Sequence, residues 1–232
     1  MIRDHEFNSS WWGGRVGILE DPAFFSQGEE VRRGMLAPFR WVEFRYPLEK
    51  LPDPWLVAGA GFVQVDTQLR FRISLKDRAG RSDESSLPVR FGDREAFAIP
   101  EGQWPPFLHE RFRHLPGATP EKVAHRYAIW ARALLQGSPE WCVEVGTASD
   151  PQGWFFAEPD DAHLHLALAL LRSGATISGL DLYAAALRAF SSRGARMGEA
   201  RFSIENRSVH NIYARLGALF LDAIGCWIWV DR

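Results

Sequence analysis

The chain has 232 residues, of which 46% are hydrophobic and 24% charged, with a formal net charge of −2 at pH 7. This composition is typical of a globular protein, and the length fits one large domain or two small ones. The charge lacks the basic excess of a nucleic-acid-binding protein, so we expect no nucleic-acid partner. The two cysteines, Cys142 and Cys226, lie in apolar, strand-like runs, a pattern that does not indicate a secreted disulfide framework.

The most apolar run, Ala162–Leu171, is interrupted by His163 and His165 and is too short to span a bilayer. The N-terminal residues lack the charged and then apolar layout of a signal peptide. We therefore expect a cytoplasmic protein with no membrane partner.

Strand and turn signals alternate over the first part of the chain. Residues Arg40–Tyr46 alternate like a half-buried strand, and Phe62–Ile73 predicts a longer strand. Between them, Pro54–Gly61 predicts a short helix closed by glycine. The polar stretch Lys76–Arg90, with its glycine and clustered serines, is typical of a linker. We place the domain boundary there, with a smaller domain over residues 1–80 and a second over residues 81–232.

The second part predicts a helix, three strands and another helix. Thr119 and Pro120 are typical of a helix start, and Gly137 ends that helix. Its predicted apolar stripe is Val123, Tyr127, Trp130 and Leu134. The three strands are Trp141–Val145, Trp154–Ala157 and Ala162–Leu171, with a turn over Asp150–Gly153. The next helix, Gly179–Arg193, carries Leu180, Ala184, Leu187 and Phe190 on one face.

The last thirty residues predict a short strand, an Asn turn, an amphipathic helix and a closing strand that ends at Val230. Ser208 is the candidate N-cap of this helix, and Gly217 lies at its end. Its apolar stripe is Val209, Ile212 and Leu216. Tyr213 lies at the margin of the stripe, where its ring can be buried while its hydroxyl faces a cleft. From the first of the three strands onward, the predicted order is β-β-β-α-β-α-β.

This order, with Asn206, Tyr213 and Leu216-Gly217 at their spacing, resembles the GNAT acyltransferase superfamily over Glu121–Val230. The whole sequence is similar to its dTDP-fucosamine acetyltransferase branch, whose members carry a small N-terminal domain resembling a truncated GNAT half. An internal echo between Gly61–Asp66 and Gly217–Asp222 agrees with that layout. The resemblance implies an α/β fold with a mixed, mainly antiparallel sheet flanked by helices, and a smaller N-terminal α/β domain.

The resemblance also implies an N-acyltransferase that uses acetyl-CoA or another acyl-CoA as co-substrate and needs no metal. The implied acceptor is the amino group of a nucleotide-linked amino sugar, such as a dTDP-linked one. An amino acid, an antibiotic-like amine or a protein N-terminus is an alternative acceptor. A non-catalytic binding or scaffold protein that has kept the fold is the alternative class, and a homodimer is a candidate assembly.

The segment Arg172–Gly179 joins an apolar strand to a helix N-terminus, where small residues let backbone N–H groups converge on an anion. The resemblance places the acyl-CoA pyrophosphate at this segment. The family pattern is Gln or Arg, two residues, Gly, one residue, then Gly or Ala. With Gly179 in the last position, Gly174 and Ile177 depart from the first two, and Arg172 is a candidate for the missing cation. The predicted acyl-CoA contacts are Leu170, Leu171, Arg172, Gly174, Ala175, Thr176, Ser178 and Gly179, with Asn206 on the pantetheine arm.

Tyr213 is the candidate general acid. A tyrosine hydroxyl suits the protonation of a thiol leaving group of comparable acidity, and the resemblance assigns that role to this residue. His163 is the candidate general base, because the family often places a base at the start of this strand; Glu158 and solvent are alternatives. His163 and His165 share one face of the strand, but no third ligand accompanies them, so packing or exposure is favoured over metal binding.

Overall fold

The computed structural model describes residues 1–78, 87–100, 102–160 and 163–231. The helices are α1 Glu6–Trp12, α2 Glu29–Leu36, α3 Pro54–Gly59, α4 Pro120–Gly137, α5 Gly179–Ser192 and α6 Arg207–Arg215. The strands are β1 Ile2–Asp4, β2 Val16–Leu19, β3 Trp41–Pro47, β4 Val63–Ser74, β5 Val89–Phe91, β6 Cys142–Thr147, β7 Asp150–Asp160, β8 His163–Leu171, β9 Met197–Ser203 and β10 Leu219–Val230. None of the helices within these ranges is long and apolar enough to cross a membrane.

The chain divides into two compact units, and each combines separate stretches of sequence. Unit 1 comprises Met1–Leu69, His109–Ala118 and Asp222–Arg232, and unit 2 comprises Arg70–Leu108 and Thr119–Leu221. The sequence predicted a single boundary between residues 80 and 81. That boundary, like most of the predicted linker, lies outside the described residues and stays a prediction.

In unit 1 the strand order is β1-β2-β3-β10-β4. Strands β2 and β3 are parallel, whereas β1 with β2 and β3 with β10 are antiparallel. The sequence predicted that β3 is half-buried, and this is wrong, because both of its faces are covered. Val42 and Phe44 pack into one aromatic cluster, while Trp41 packs on the other face against Phe112. Glu43, on the same face as Trp41, is therefore fully buried.

In unit 2 the strand order is β4-β9-β8-β7-β6-β5, mainly antiparallel, with β8 and β9 as the parallel pair. Two core clusters show that α4 and α5 cover opposite faces of this sheet. Trp154 of β7 packs with the buried residues of α4, and its neighbour Phe155 packs with those of α5. Because successive strand residues point to opposite faces, the two helices lie on opposite sides of the sheet.

The β-β-β-α-β-α-β order and most of the unit 2 elements are those predicted from the sequence. The predicted N-cap of α4 is confirmed, since the Thr119 hydroxyl accepts from the Lys122 N–H at 3.2 Å. The predicted turn over Asp150–Gly153 is wrong: those residues begin β7, and the turn is at residues 148–149. The predicted face of α5 is partly wrong, because Leu187 and Phe190 are buried whereas Leu180 and Ala184 are only partly so.

Candidate active site

Strand β8 contains a bulge near its middle. Its antiparallel register with β7 pairs Phe156 with Leu168 and Glu158 with His165, and it shifts between these pairs. One residue of β7, Ala157, therefore lies opposite two residues of β8, at positions 166 and 167. A bulge of this kind bends the strand and redirects its backbone groups.

The bulge changes which alternate residues of β8 face α5. Before it, Leu164 and Leu166 pack into the core cluster that contains α5. After it, Leu168 and Leu170 pack into the cluster that contains α4. One extra residue in a strand of period two produces this change. The side chain of Leu170 thus points away from α5, whereas that of Leu171 packs on the α5 side.

The parallel strands β8 and β9 diverge toward their C-terminal ends. Among the described residues, they pair only at Leu164 with Gly198 and at His165 with Glu199. In the described part of the chain no further pairs join these two strands, so the backbone groups that follow in both strands face the gap between them, an opening in the sheet. Helix α6 begins four residues after β9 ends, and its Tyr213 packs against Phe202 of β9 in the core cluster that contains α5.

Asn206 is the N-cap of α6. Its side-chain Oδ1 accepts from the Val209 N–H at 3.1 Å. The sequence predicted Ser208 as the cap, which is wrong: Ser208 is the second residue of the helix. Because the cap uses only the oxygen of the amide, the NH₂ group of Asn206 remains available as a donor.

Tyr213 of α6 is 3% exposed and lies in an aromatic cluster. Its ring centroid is 3.9 Å from that of Phe71, 5.1 Å from that of Tyr183 and 5.9 Å from that of Phe202. Burial, with the neighbouring Tyr183, raises the pKa of Tyr213 well above its ordinary value. The hydroxyl therefore stays protonated at neutral pH and can act as a proton donor.

The Tyr213 hydroxyl makes no hydrogen bond to the described part of the chain. The ring is buried, as the sequence predicted, but Tyr213 is the one buried residue of α6 and does not lie at the margin of its apolar face. Access to the hydroxyl from a cleft stays a prediction.

The Arg172–Gly179 segment connects β8 to α5, as the sequence predicted, and β7 holds it in place. The Thr176 N–H donates to Gln152 Oε1 at 2.7 Å, and the Arg172 N–H donates to the Gln152 carbonyl at 2.9 Å. Gln152 Nε2 donates to Asp150 Oδ2 at 2.6 Å. Asp150 also accepts from Arg172 Nη2 at 2.7 Å, so this guanidinium, the predicted phosphate cation, already has an anionic partner.

The start of α5 carries a capping box. The N–H and the hydroxyl of Ser178 donate to the Asp181 carboxylate at 2.8 and 2.7 Å, and the Asp181 N–H donates back to Ser178 Oγ. The backbone N–H groups of Gly174, Ile177 and Gly179 have no acceptor in the described part of the chain. These three N–H groups are the loop donors that remain for an anion.

Two further residues complete the loop. The Ala175 N–H donates to the Arg172 carbonyl at 3.1 Å and closes a tight turn. A Cβ atom at Gly179 would lie 3.0 Å from Ile212 Cδ1 of α6. Glycine thus keeps the first turn of α5 close to α6.

The two histidines of β8 differ in their surroundings. His163, the predicted base, is the first residue of β8 and lies opposite Asp160. His165 is the direct register partner of Glu158, and its Nδ1 lies 3.0 Å from Glu158 Oε1. Within the described residues, no group of three or more His, Cys, Asp or Glu side chains is placed to hold a metal ion.

No protein-family model and no curated protein sequence matches the chain. A GCN5-related N-acetyltransferase from Sphaerobacter thermophilus superposes with a TM-score of 0.54 at 16% identity, over 83% of this chain and 60% of that one. One from Kribbella flavida superposes with a TM-score of 0.54 at 14% identity, over 94% and 82%. A functionally unknown conserved protein from Staphylococcus epidermidis gives 0.57 at 13% identity, over 94% and 85%.

The chain has the fold of the GCN5-related N-acetyltransferases. The predicted GNAT-like sheet, mainly antiparallel and flanked by helices, is confirmed. At these identities the likeness concerns the fold, and the chain spans only 60% of the Sphaerobacter protein. None of the three similar structures is named for a sugar acceptor, so the branch and the acceptor remain proposals.

Three features of this GNAT-fold site were missed by the sequence. The bulge in β8 leaves no trace, because Leu164, Leu166, Leu168 and Leu170 alternate regularly with other residues straight through it. Gln152 was placed in a turn and not in the strand from which it holds the loop. Asp181 has a recognisable signal that was not used, since Ser followed three residues later by an acidic residue is typical of a helix start.

Proposed function

We propose that the protein is an acyl-CoA-dependent N-acyltransferase, with acetyl-CoA as the first donor to test. The observation that carries this proposal is the opening between β8 and β9 beside the β8 bulge, together with Tyr213 of α6, which packs against Phe202 of β9. Backbone N–H groups redirected by the bulge suit the stabilisation of a thioester oxygen as negative charge develops on it.

The proposed acyl-CoA contacts follow from the available donors. The free N–H groups of Gly174, Ile177 and Gly179 would face the pyrophosphate, and the NH₂ group of Asn206 would face the pantetheine arm. Tyr213 would protonate the departing thiolate. No metal takes part in this scheme.

The finer proposal for the acceptor is the amino group of a nucleotide-linked amino sugar, such as a dTDP-linked one. Its support is the full-length resemblance to the sugar N-acyltransferase branch. An amino acid, an antibiotic-like amine and a protein N-terminus are the other acceptors that the same chemistry would serve. A homodimer and a cytoplasmic location remain expectations.

One observation favours a second candidate, a GNAT-fold protein that binds no acyl-CoA. The Asp181 carboxylate accepts from the Ser178 N–H at the start of α5, where its negative charge opposes the binding of a phosphate. Arg172 does not offset this charge, since Asp150 already pairs with it. The retained pair of Asn206 and Tyr213 supports the enzyme over this alternative.

Two measurements on the 232-residue protein test the proposal. Acetyl-CoA at a hundredfold above its Kd is expected to stabilise the fold by about 2.7 kcal/mol, read as a rise in Tm. Free-thiol release is then followed with acetyl-CoA or a longer acyl-CoA and a panel of amines. The panel contains dTDP-linked amino sugars, free glucosamine, an amino acid, an aminoglycoside and a peptide with a free N-terminus. If acetyl-CoA does not stabilise the fold and no pair of acyl-CoA and amine releases free thiol, the non-catalytic alternative is the one supported.

Replacing Gly179 with leucine is expected to raise the apparent KM for acyl-CoA by about ten- to hundredfold. The side chain would cover the start of α5 and block one charge-assisted hydrogen bond, which contributes about 1.5–3 kcal/mol. The KM for the acceptor should change little. Steady-state kinetics with each substrate varied in turn gives both values.

A second variant separates blocked N–H access from disturbed packing. Because the new side chain would also meet Ile212, Gly179→Leu is combined with Ile212→Ala, which makes room at α6. If only packing mattered, the double variant would recover the low KM for acyl-CoA. Such recovery, or an equal rise in both KM values, would contradict the proposed contact.

A further inference from the structure

His165 stands immediately before the β8 bulge, on the sheet face opposite α5. Its neighbours Leu164 and Leu166 point into the core cluster that contains α5, so the imidazole projects from the other face. Its side chain is 40% exposed. A solute that approaches this face of the sheet therefore has access to the ring.

Glu158 orients this imidazole. The two residues are direct partners across β7 and β8, and Nδ1 of His165 lies 3.0 Å from Oε1 of Glu158. When Nδ1 carries the proton and donates it to the carboxylate, the lone pair of Nε2 is left to accept a proton. A nitrogen base held in one tautomer by a carboxylate is a recurrent arrangement in proton abstraction.

The second carboxylate beside His165, that of Glu199, forms ion pairs with two arginines. Glu199 is its register partner on β9, but it accepts from Arg72 Nε at 2.8 Å and from Arg70 Nη1 at 3.3 Å. Although partial burial opposes its ionisation, these two arginines keep the pKa of Glu199 below its ordinary value. Glu199 therefore stays an anion paired with arginine, and of the two carboxylates only Glu158 bonds the imidazole.

His165 and Tyr213 lie on opposite faces of the unit 2 sheet. Tyr213 packs within the core cluster on the α5 side, and His165 projects from the other side. The opening between β8 and β9 lies in the sheet between these two faces. This geometry separates a group that can accept a proton from one that can donate it.

We propose, on the basis of the acyltransferase function above, that His165 is the general base for the acceptor amine and that Glu158 is its positioning residue. Nε2 of His165 takes one proton from the acceptor's ammonium group and leaves a neutral amine. The amine nitrogen forms a bond to the acyl carbon, and the carbon–sulfur bond breaks. The nitrogen loses its second proton to water, and the sulfur takes a proton from Tyr213, which is replaced from solvent. His165 then returns its proton to water.

The test compares His165→Gln with His163→Gln, a change of the same type on the same face of β8. The assay uses acetyl-CoA and the panel amine that the wild-type protein acetylates fastest. At pH 7, His165→Gln is expected to lower kcat/KM for the amine about 10²-fold, at least tenfold more than His163→Gln does. The loss should shrink as the pH rises toward the pKa of the acceptor's own ammonium group, because that group then needs no base. The Tm shift with acetyl-CoA should be kept.

The positioning role of Glu158 has its own readout. Glu158→Gln is expected to lower kcat/KM by about tenfold, less than His165→Gln, because the imidazole remains. Glu158→Asp, which keeps the carboxylate, should recover part of that loss, whereas a purely structural role would not distinguish the charge of the side chain.

The outcomes separate this role from the proposed function. A wild-type protein that is active while His165→Gln retains its kcat/KM, or loses no more than His163→Gln, overturns the role of His165 alone. A loss that does not diminish at higher pH also overturns it. A wild-type protein that acetylates no amine and gains no stability from acetyl-CoA overturns the proposed function, and this role falls with it.

Discussion

Replacing Arg111 with methionine is expected to lower the free energy of unfolding by about 3–5 kcal/mol, the largest stability effect of any change considered for this chain. Arg111 Nε donates to Oε1 of Glu43, a carboxylate with no exposed surface. Removal of one partner from a buried ion pair leaves the other charge in a low-dielectric interior with less compensation for its desolvation.

The surroundings of the pair explain why the loss should be large. Burial disfavours the charged guanidinium, yet the carboxylates of Glu43 and Glu110 raise the pKa of Arg111 above its ordinary value. The guanidinium also lies 4.3 Å from the ring centroid of Phe112, which packs against Trp41. After the substitution, the described cation beside Glu43 is Arg45, at 3.6 Å from Oε2.

Chemical denaturation of the 232-residue protein measures the effect, with two controls. Arg45→Met should cost much less, because Arg45 is 32% exposed and Glu43 keeps Arg111. The double variant Glu43→Leu/Arg111→Met should recover most of the stability, since a buried pair replaced by apolar residues of similar volume is often neutral. A surface substitution normally changes the free energy of unfolding by no more than about 0.5 kcal/mol. If Arg111→Met alone changes it by no more than that, the pair contributes little to stability.

This pair also shows where reading the sequence fails. The alternation over Arg40–Tyr46 correctly predicts β3, because a period of two is a local property. It assigns Glu43 and Arg45 to a solvent face, because nothing local indicates a partner. The partner of Glu43 is 68 residues away in the chain. Long-range ion pairs are set by tertiary packing and not by local pattern, so the second covered face of β3 was not predictable.

The elements of the C-terminal part were predictable for the opposite reason. Helix α6 follows from the spacing of Val209, Ile212 and Leu216, and its end follows from Gly217. The predicted N-cap, Ser208, was wrong, and residue type alone could not have excluded it, since asparagine and serine both cap helices well. The structure selects Asn206, and the helix thus begins two residues earlier than a Ser208 cap would place it.

The site itself was only partly predictable. The buried ring of Tyr213 and the Arg172–Gly179 connection between β8 and α5 were predictable because each belongs to a short segment with its own spacing. The pairing of His165 with Glu158 depends on the register of β7 against β8, and the bulge shifts that register by one residue. A pattern that alternates without interruption cannot reveal such a shift. Contacts between residues on neighbouring strands could therefore not be predicted from the sequence, whereas contacts within one helix turn could.

Removal of the Tyr213 hydroxyl, in Tyr213→Phe, is expected to lower kcat about 10²–10⁴-fold, which corresponds to about 3–5 kcal/mol of barrier. The hydroxyl is positioned by an enclosed ring whose centroid lies 3.9 Å from that of Phe71. Burial raises the pKa of Tyr213, so the proton is still present well above neutral pH. The decrease in kcat of Tyr213→Phe should therefore be observed at every pH up to about 10.

The effect should appear in kcat and not in binding. Phenylalanine preserves the ring contacts, and the hydroxyl has no hydrogen-bond partner in the described part of the chain, so stability should change little. The hydroxyl matters while the thiolate departs, so the Kd for acetyl-CoA should stay close to that of wild type. Isothermal titration and single-turnover kinetics separate these two quantities.

Tyr183→Phe is the matched control, because it removes the same group from a buried tyrosine whose ring centroid is 5.1 Å from that of Tyr213. Burial raises the pKa of Tyr183 as well, so both residues carry a protonated hydroxyl in one aromatic cluster. If Tyr213 is the acid, its Phe variant alone should lose the chemical step. A wild-type single-turnover rate in Tyr213→Phe, or equal losses in the two variants, would reduce Tyr213 to a packing residue of this cluster. A loss confined to Tyr213→Phe would instead tie the proton donor to α6, the helix that Asn206 caps.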